Sequence, residues 1–206
     1  MPVTLPPEPD FGQPLPAPVA NAEVLRFLAL RRSASAATLG APGPDANELT
    51  GLLRLATRVP DHGKLFPWRF IVLRGESKLA YASALEALAQ LQPNPEKATA
   101  ALAKVRNPPV SVAVVSRLLE AAIPEWEQRL SSAAVCMTLL VAAQAAGYGA
   151  NWITDWYAYD ARATALLGLA GDERIAGFVH IGTAAEAPLE RVRPKTGELT
   201  SVWSPP

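Results

Sequence analysis

The sequence predicts an α+β domain in which helices cover a mainly antiparallel or mixed sheet. Helical periodicity of apolar residues recurs along most of the chain, whereas the apolar runs typical of strands are short and scattered. The segments do not alternate regularly as strand, helix and strand, which would indicate a parallel sheet. Because the chain has 206 residues, of which 50% are apolar, it can bury one substantial core, and two full domains would fit poorly.

The first eighteen residues contain seven prolines. Proline fixes its own φ angle and has no backbone N–H, so residues 1–20 are expected to be extended and poorly paired. This arm is either a disordered tail or a segment that lies along another subunit, and no chemistry is assigned to it. Residues 21–206 are then expected to form a single domain.

The elements of this domain follow from periodicity and from the residues that bound each segment. Helices are predicted over residues 22–31, 46–58, 76–90, 95–106, 124–146 and 161–167, and strands over residues 66–73, 110–115, 150–154 and 175–181. Four of the helices follow a residue suited to an N-cap: Asn21, Asp45, Asn94 and Asp160. Glu48, three residues after Asp45, completes the pattern of a capping box.

The ends of the elements are marked by glycine and proline. Residue 59 precedes Pro60, which ends the second helix near Arg58. Arg74-Gly75 is typical of a turn after the first strand, and Gly147 closes the long helix over residues 124–146. Residues 193–203 are expected to supply an extended segment.

The segment Ser131–Ala146 is nearly apolar on every face. A helix of this kind must be buried all round. Either the remainder of its own chain encloses it or a dimer partner covers one side, and the pattern alone leaves both possibilities open.

Composition excludes several classes of function. Lys and Arg together number 19, as do Asp and Glu, so no global charge favours nucleic acid or an anionic membrane. No apolar run is long enough to cross a bilayer, and the N-terminal residues lack the order of a secretory signal. The single cysteine, Cys136, excludes an internal disulfide. These features favour a cytoplasmic location, and two histidines with one cysteine cannot form a typical metal site.

Two short segments carry the residue types of a ligand site. Arg31-Arg32-Ser33 places two guanidinium groups and a hydroxyl at a helix end, where they could bind phosphate or carboxylate oxygens. The alternative is that these arginines simply complement the helix dipole. His62 lies in a turn, residues 59–70, that is rich in proline and glycine, and it is either a cofactor contact or an ordinary loop histidine.

Glycine motifs for nucleotide phosphates are absent from the sequence. Neither a G-x-G-x-x-G nor a G-x-x-x-x-G-K-[ST] pattern occurs, and there is no G-x-S-x-G elbow. His180, inside an apolar strand, is expected to be structural. Cys136 has no basic neighbour in sequence and is not expected to act as a nucleophile.

Five motifs, in order along residues 21–190, resemble those of the nitroreductase family of FMN-dependent oxidoreductases, particularly its small bacterial members. The motifs are Arg31-Arg32-Ser33-Ala34-Ser35, the turn from Arg58 to Phe70, Trp126-Glu127-Gln128, the run from Gly147 to Thr154, and the run from Gly177 to Gly182. The resemblance implies a layered nitroreductase-like fold and an intertwined homodimer with FMN in clefts at the subunit interface.

The resemblance also implies a role for particular residues. From one subunit, Arg31, Arg32 and Ser33 would bind the phosphate and ribityl region of FMN. From the other subunit, Arg58 and His62 would reach the same flavin, and Lys64 is near enough in sequence to contribute. The isoalloxazine and phosphate side would be lined by Trp152, Ile153 and Thr154. Larger members carry an insertion over the flavin, and only short loops are available here, so the substrate is left undefined.

The implied activity is ping-pong transfer of a hydride from NADH or NADPH, through FMN, to a small-molecule acceptor such as a nitroaromatic or a quinone. The cofactor supplies the redox chemistry, so no catalytic acid, base or nucleophile is named among the protein residues. Two alternatives remain. One is a different flavin reaction on the same scaffold, such as dehalogenation, enone reduction or flavin fragmentation, and the other is a dimeric module without enzymatic activity.

Overall fold

A computed structural model describes residues 5–205 of the chain. Eight α-helices are present in this range: α1 Ala22–Leu30, α2 Ala46–Ala56, α3 Gly75–Ala89, α4 Pro95–Ala101, α5 Ala103–Arg106, α6 Glu125–Ala145, α7 Trp156–Tyr159 and α8 Ala161–Ala165. Five strands accompany them: β1 Leu39–Gly40, β2 Trp68–Arg74, β3 Val110–Ser116, β4 Gly149–Ile153 and β5 Arg174–Ala184. Short 3₁₀ turns lie at Ala36–Thr38, His62–Lys64 and Thr196–Leu199.

The five strands form one antiparallel sheet around β5. Strand β5 pairs with β3 along most of its length, and β2 pairs with the other side of β3. Strand β4 pairs with β5 from Gly149 opposite Gly182 to Ile153 opposite Phe178, and β1 pairs with the end of β5. The expected α+β class is therefore confirmed, and the sheet is antiparallel throughout.

Helices cover both faces of the sheet and create two cores. On one face, α2 and α6 pack over Val110, Val112 and Val114 of β3. On the other face, α3, α4, α5 and α7 pack over Ala113 and Val115 of the same strand. Because successive residues of a strand point to opposite faces, β3 supplies both cores, and it is buried along its whole length.

The predicted caps begin the helices as expected. Asn21 accepts a hydrogen bond from the Val24 N–H, Asn94 from that of Lys97, and Asp160 from that of Ala163. The capping box at the start of α2 is complete, since Asp45 accepts from the Glu48 N–H at 2.9 Å and the Glu48 carboxylate accepts from the Asp45 N–H at 2.9 Å.

Three expectations about the elements differ from the structure, and one helix was not predicted. The helix over residues 95–106 is divided into α4 and α5 at Leu102, and α7 was not predicted. Strand β2 passes directly into α3 at Gly75, where φ is 53°, without the expected turn. The segment 193–203 contains the 3₁₀ turn Thr196–Leu199 and no strand.

Helix α6 is not enclosed on all sides by its own chain. Its buried side packs on α2 and the sheet, whereas Leu130 and Met137 on the opposite side are 49% and 37% exposed. Helix α1 has no buried residue, and its apolar side chains Val24, Leu25 and Leu28 are at least half exposed. Both helices therefore present apolar surface that a single chain leaves uncovered.

The N-terminal arm lies in part against α2. Residues 5–20 contain no helix or strand, and the Arg54 side chain donates a hydrogen bond to the Pro6 carbonyl. Residues 1–4 of the arm, and Pro206, lie outside the described range. Within residues 5–205, no helix is both long and apolar enough to cross a membrane.

Candidate cofactor site

The segment Arg31–Ser35 is fixed where α6 ends and β4 begins. Helix α1 ends at Leu30, and the backbone of Arg31 leaves the helical region with φ −59° and ψ 130°. The Ala34 N–H donates to the Ala150 carbonyl at 3.1 Å, and the side chain of Asn151 donates to the Ala34 carbonyl. The side-chain amide of Gln144 donates to the Arg32 carbonyl. The two arginines and Ser33 are thus held beside the sheet.

An open groove of about 530 Å³ adjoins this segment. Three arginines line it, Arg26, Arg31 and Arg32, against one carboxylate, Glu23. The Nη1 atom of Arg31 is buried and has no hydrogen-bond partner among the described residues. Because a buried guanidinium nitrogen without an acceptor is costly, the groove suits an anionic group that supplies one.

Arg32 is already engaged by the C-terminal segment. Its Nε donates to the Leu189 carbonyl at 3.0 Å and lies 3.9 Å from the Glu190 carboxylate. Tyr148 also lines the groove, and its hydroxyl donates to Glu48 at 2.7 Å. Burial, reinforced by this carboxylate, raises the pKa of Tyr148 to about 12, so the hydroxyl stays protonated at neutral pH.

The second group of expected residues lies at the end of β4. Trp152 packs partly buried against the core under α6, and its Nε1 donates to the Ala176 carbonyl at 3.4 Å. The indole occupies space that only glycine leaves free, since a Cβ atom on Gly177 would lie 1.9 Å from Nε1. Ile153 is partly buried beside it, and the exposed Thr154 accepts a hydrogen bond from the Tyr159 hydroxyl at 2.8 Å. Since the Ala34 N–H donates to the Ala150 carbonyl, the structure places the first group beside the strand that leads to the second.

The third group lies on the turn between α2 and β2. Arg58 is exposed where the chain leaves α2, and His62 Nδ1 lies 2.7 Å from Glu127 Oε2 in the first turn of α6. The Ser131 hydroxyl of α6 donates to the Pro60 carbonyl at 2.9 Å. The turn is therefore attached to the N-terminal part of α6 at two points.

Backbone strain is concentrated in this turn. Lys64 and Phe66 have φ angles of 54° and 50°, in the left-handed region that side-chain-bearing residues rarely adopt. The Asp61 carboxylate holds them there by accepting from the N–H groups of Leu65 at 3.3 Å and Phe66 at 2.8 Å. Strain of this kind often marks functional loops.

One chain does not bring all the expected residues together. Arg32 is bonded to Gln144 near the end of α6, whereas His62 is bonded to Glu127 near its start. Glu127 and Gln144 are 17 positions apart on α6, from 127 to 144. Because a helix rises 1.5 Å per residue, this separation corresponds to about 25 Å. The arginine group and the His62 turn therefore lie toward opposite ends of α6.

The remaining titratable candidates, Cys136 and His180, are fully buried. Burial raises the pKa of Cys136 to about 12, so its thiol stays protonated. Burial lowers the pKa of His180 to about 3, and its Nδ1 lies 2.8 Å from the Ser111 hydroxyl inside the sheet. Within the described range, no three His, Cys, Asp or Glu residues are grouped as metal ligands.

Three residues of the site were given no role from the sequence, although Glu127 lies in one of the family motifs. Arg26 lies on α1 one helical turn before Leu30, and both line the groove, so helical spacing could have identified it. Gln144 and Glu127 hold the two groups in place, but their partners are 112 and 65 residues away in sequence. No local pattern indicates contacts of that range.

Comparison with known proteins shows the family. The model of the nitroreductase family matches residues 28–183. The Escherichia coli K12 protein named Putative NAD(P)H nitroreductase YdjA is 32% identical over 166 residues, which are 78% of this chain and 88% of that protein. The chain belongs to the nitroreductase family, a family of oxidoreductases, as its motifs predicted.

Solved structures agree on the fold. The nitroreductase-like family protein from Bacillus cereus superposes with a TM-score of 0.78 and 22% identity, covering 90% of this chain and 98% of that one. A protein from Desulfovibrio desulfuricans, solved in complex with FMN, gives a TM-score of 0.70 and 20% identity, covering 91% and 100%. The nitroreductase-like fold is therefore confirmed.

Proposed function

We propose that this protein is an FMN-dependent oxidoreductase that uses NADH or NADPH to reduce nitroaromatic or quinone-type acceptors. The observation that carries the proposal is the arginine-lined groove with the unpartnered Nη1 of Arg31. An FMN phosphate would supply the acceptor that this nitrogen lacks. The E. coli relative is named as an NAD(P)H nitroreductase, and the D. desulfuricans protein of the same fold was solved with FMN, so both support the proposal.

Different residues of this chain would bind different parts of the cofactor. Arg31, Arg32 and Ser33 bind the phosphate and ribityl end, and Arg32 exchanges its contact with Glu190 for the phosphate. At the end of β4, the side chains that would line the flavin ring are Trp152, Ile153 and Thr154. FMN bound there would supply the redox chemistry between the nicotinamide donor and the acceptor. No protein side chain is required as a nucleophile.

The site is completed by a second copy of the chain. In an antiparallel pair of α6 helices, related by a two-fold axis, the start of one α6 lies beside the end of the other. The exposed Leu130 and Met137 supply an apolar contact surface for such a pair. This arrangement brings Arg58 and His62 of one subunit, with Lys64 nearby, to the arginine groove of the other. A free, buried cysteine fits a cytoplasmic enzyme.

Purification tests this proposal directly. The protein is expected to be yellow, to release FMN on denaturation and to oxidise NADH or NADPH when a nitroaromatic or quinone is added. Arg31→Ala should weaken FMN binding at least tenfold, because a charge-assisted contact to phosphate is lost. Arg129→Ala, which removes an exposed arginine paired with Glu125, should bind FMN normally.

A colourless protein that takes up no added FMN would contradict the proposal and favour the non-enzymatic dimer. A yellow protein that reduces enones or halogenated aromatics in preference to nitroaromatics and quinones would support the proposed cofactor site. It would also show that the proposed class of acceptor is wrong.

A further inference from the structure

The pair formed by His62 and Glu127 determines which hydrogen-bonding group His62 can offer. Nδ1 lies 2.7 Å from Glu127 Oε2, and the two side chains are 63% and 44% exposed. An ionised carboxylate only accepts hydrogen bonds, so Nδ1 must carry the proton in this contact. In the neutral ring, Nε2 then holds a lone pair and can only accept a hydrogen bond.

Both members of the pair are held by their surroundings. Glu127 lies in the first turn of α6, where the helix dipole favours a carboxylate, and its N–H donates to the Pro124 carbonyl at 3.1 Å. The adjacent Gln128 is 2% exposed and bonds to both backbone groups of Leu119. On the other side, the hydroxyl of Ser131 holds the Pro60 carbonyl, two residues before His62.

The exposed side of the imidazole remains available to a ligand. Nε2 lies across the ring from Nδ1, and no residue of the described range forms a hydrogen bond with it. His62 Nε2 is therefore a hydrogen-bond acceptor in a fixed position, on the turn that the proposed function places beside FMN.

We infer that Glu127 is a positioning residue that holds His62 in its Nδ1–H tautomer, so that Nε2 accepts a hydrogen bond from a donor group of FMN. FMN carries such donors in its ribityl hydroxyls and its ring N–H. This inference rests on the proposed function and adds the direction of the hydrogen bond. If His62 were only a surface histidine, its tautomer would have no effect on the cofactor.

The tautomer can be measured in the FMN-free protein by ¹⁵N NMR of the imidazoles. The chain has 2 histidines, and His180 is buried, so the two rings are readily distinguished. In spectra of the neutral imidazole, His62 should give a protonated Nδ1 and an unprotonated Nε2. Glu127→Ala should shift the proton to Nε2, whereas Glu127→Gln, which keeps an acceptor oxygen, should retain most of the Nδ1–H form.

Glu125 offers a matched control in the same turn of α6, because its carboxylate pairs with Arg129. Glu125→Ala should leave both the His62 tautomer and FMN affinity unchanged. Glu127→Ala should weaken FMN binding about fivefold to tenfold, as expected for one lost hydrogen bond, and Glu127→Gln should restore most of that loss. Circular dichroism of each variant checks that α6 remains folded.

Two results would overturn the inference: a His62 tautomer that is the same in wild-type protein and Glu127→Ala, or a shifted tautomer with unchanged FMN affinity. Failure of the proposed function is distinguishable, because wild-type protein would then bind no FMN at all, whatever the NMR spectra of the FMN-free protein show.

Discussion

At the scale of single residues, Arg69 and Glu173 form a bidentate ion pair. Arg69 Nε and Nη2 donate to the two carboxylate oxygens at 2.6 and 2.7 Å, and the Ala170 N–H adds a third bond at 2.9 Å. The hydrogen bond from Arg69 is the main reason that the pKa of Glu173 falls to about 2. Because Arg69 lies in β2 and Glu173 directly precedes β5, the pair links these two parts of the chain.

This shift predicts how stability depends on pH. Because the pKa of Glu173 is lower in the folded protein than its ordinary value of 4.5, the pair stabilises the fold above about pH 4.5. That contribution is lost as pH falls toward about 2. Glu173→Gln should reduce the free energy of unfolding at pH 7 by on the order of 2 kcal/mol, after allowance for the partly exposed Arg69.

Urea unfolding between pH 7 and pH 2 measures this difference. The stability curves of wild-type protein and Glu173→Gln should converge at the acid end. A constant difference at every pH would show that the effect does not come from ionisation of Glu173.

At the scale of elements, the close approach of β4 to β5 depends on a glycine. The Trp152 indole lies over Gly177, and a Cβ atom at that position would meet Nε1 at 1.9 Å and Cδ1 at 2.4 Å. Both atoms belong to a ring that is packed against the core and cannot shift by rotation of a flexible chain. The position of Trp152 in the proposed ring site is therefore fixed by its neighbour on β5.

Gly177→Ala should displace the indole, lower the free energy of unfolding by about 1–3 kcal/mol and weaken FMN binding. Denaturant unfolding and FMN titration measure the two effects. Gly171→Ala is the matched control, because a Cβ atom there meets nothing within 4 Å. Equal behaviour of the two variants would contradict a close contact between β4 and β5.

At the scale of the whole molecule, the two groups of residues in the proposed site lie toward opposite ends of α6. The proposed function therefore requires two chains for each site. Arg31→Ala and His62→Ala should each weaken FMN binding when all subunits carry the change. A mixed dimer with one substitution per subunit should recover one site with nearly wild-type affinity, because one arginine groove then meets an intact His62. The measurement is FMN stoichiometry on co-expressed, differently tagged subunits.

The expected stoichiometry of the mixed dimer is one tightly bound FMN per dimer. Two weakened sites in the mixed dimer would place Arg31 and His62 in the same subunit's site, and the proposed arrangement of the α6 helices would be wrong.

Features that depend on neighbouring residues were predictable from the sequence. The capping box of Asp45 and Glu48 involves residues within one four-residue segment. The N-cap residues Asn21, Asn94 and Asp160 each accept a hydrogen bond from the helical turn that follows. The break at Leu102 was missed because its neighbours Ala101 and Ala103 are good helix formers, and the division of the helix has no local signal.

The sequence by itself determined the helix starts, the family motifs and the arginine pair at the end of α1, because each rests on residue types at short spacing. Only the tertiary structure decided that Arg32 is held at one end of α6 and His62 at the other. It also decided that Glu127 lies 2.7 Å from His62 Nδ1. These outcomes depend on contacts across 112 and 65 residues, which form only when the sheet and α6 pack together.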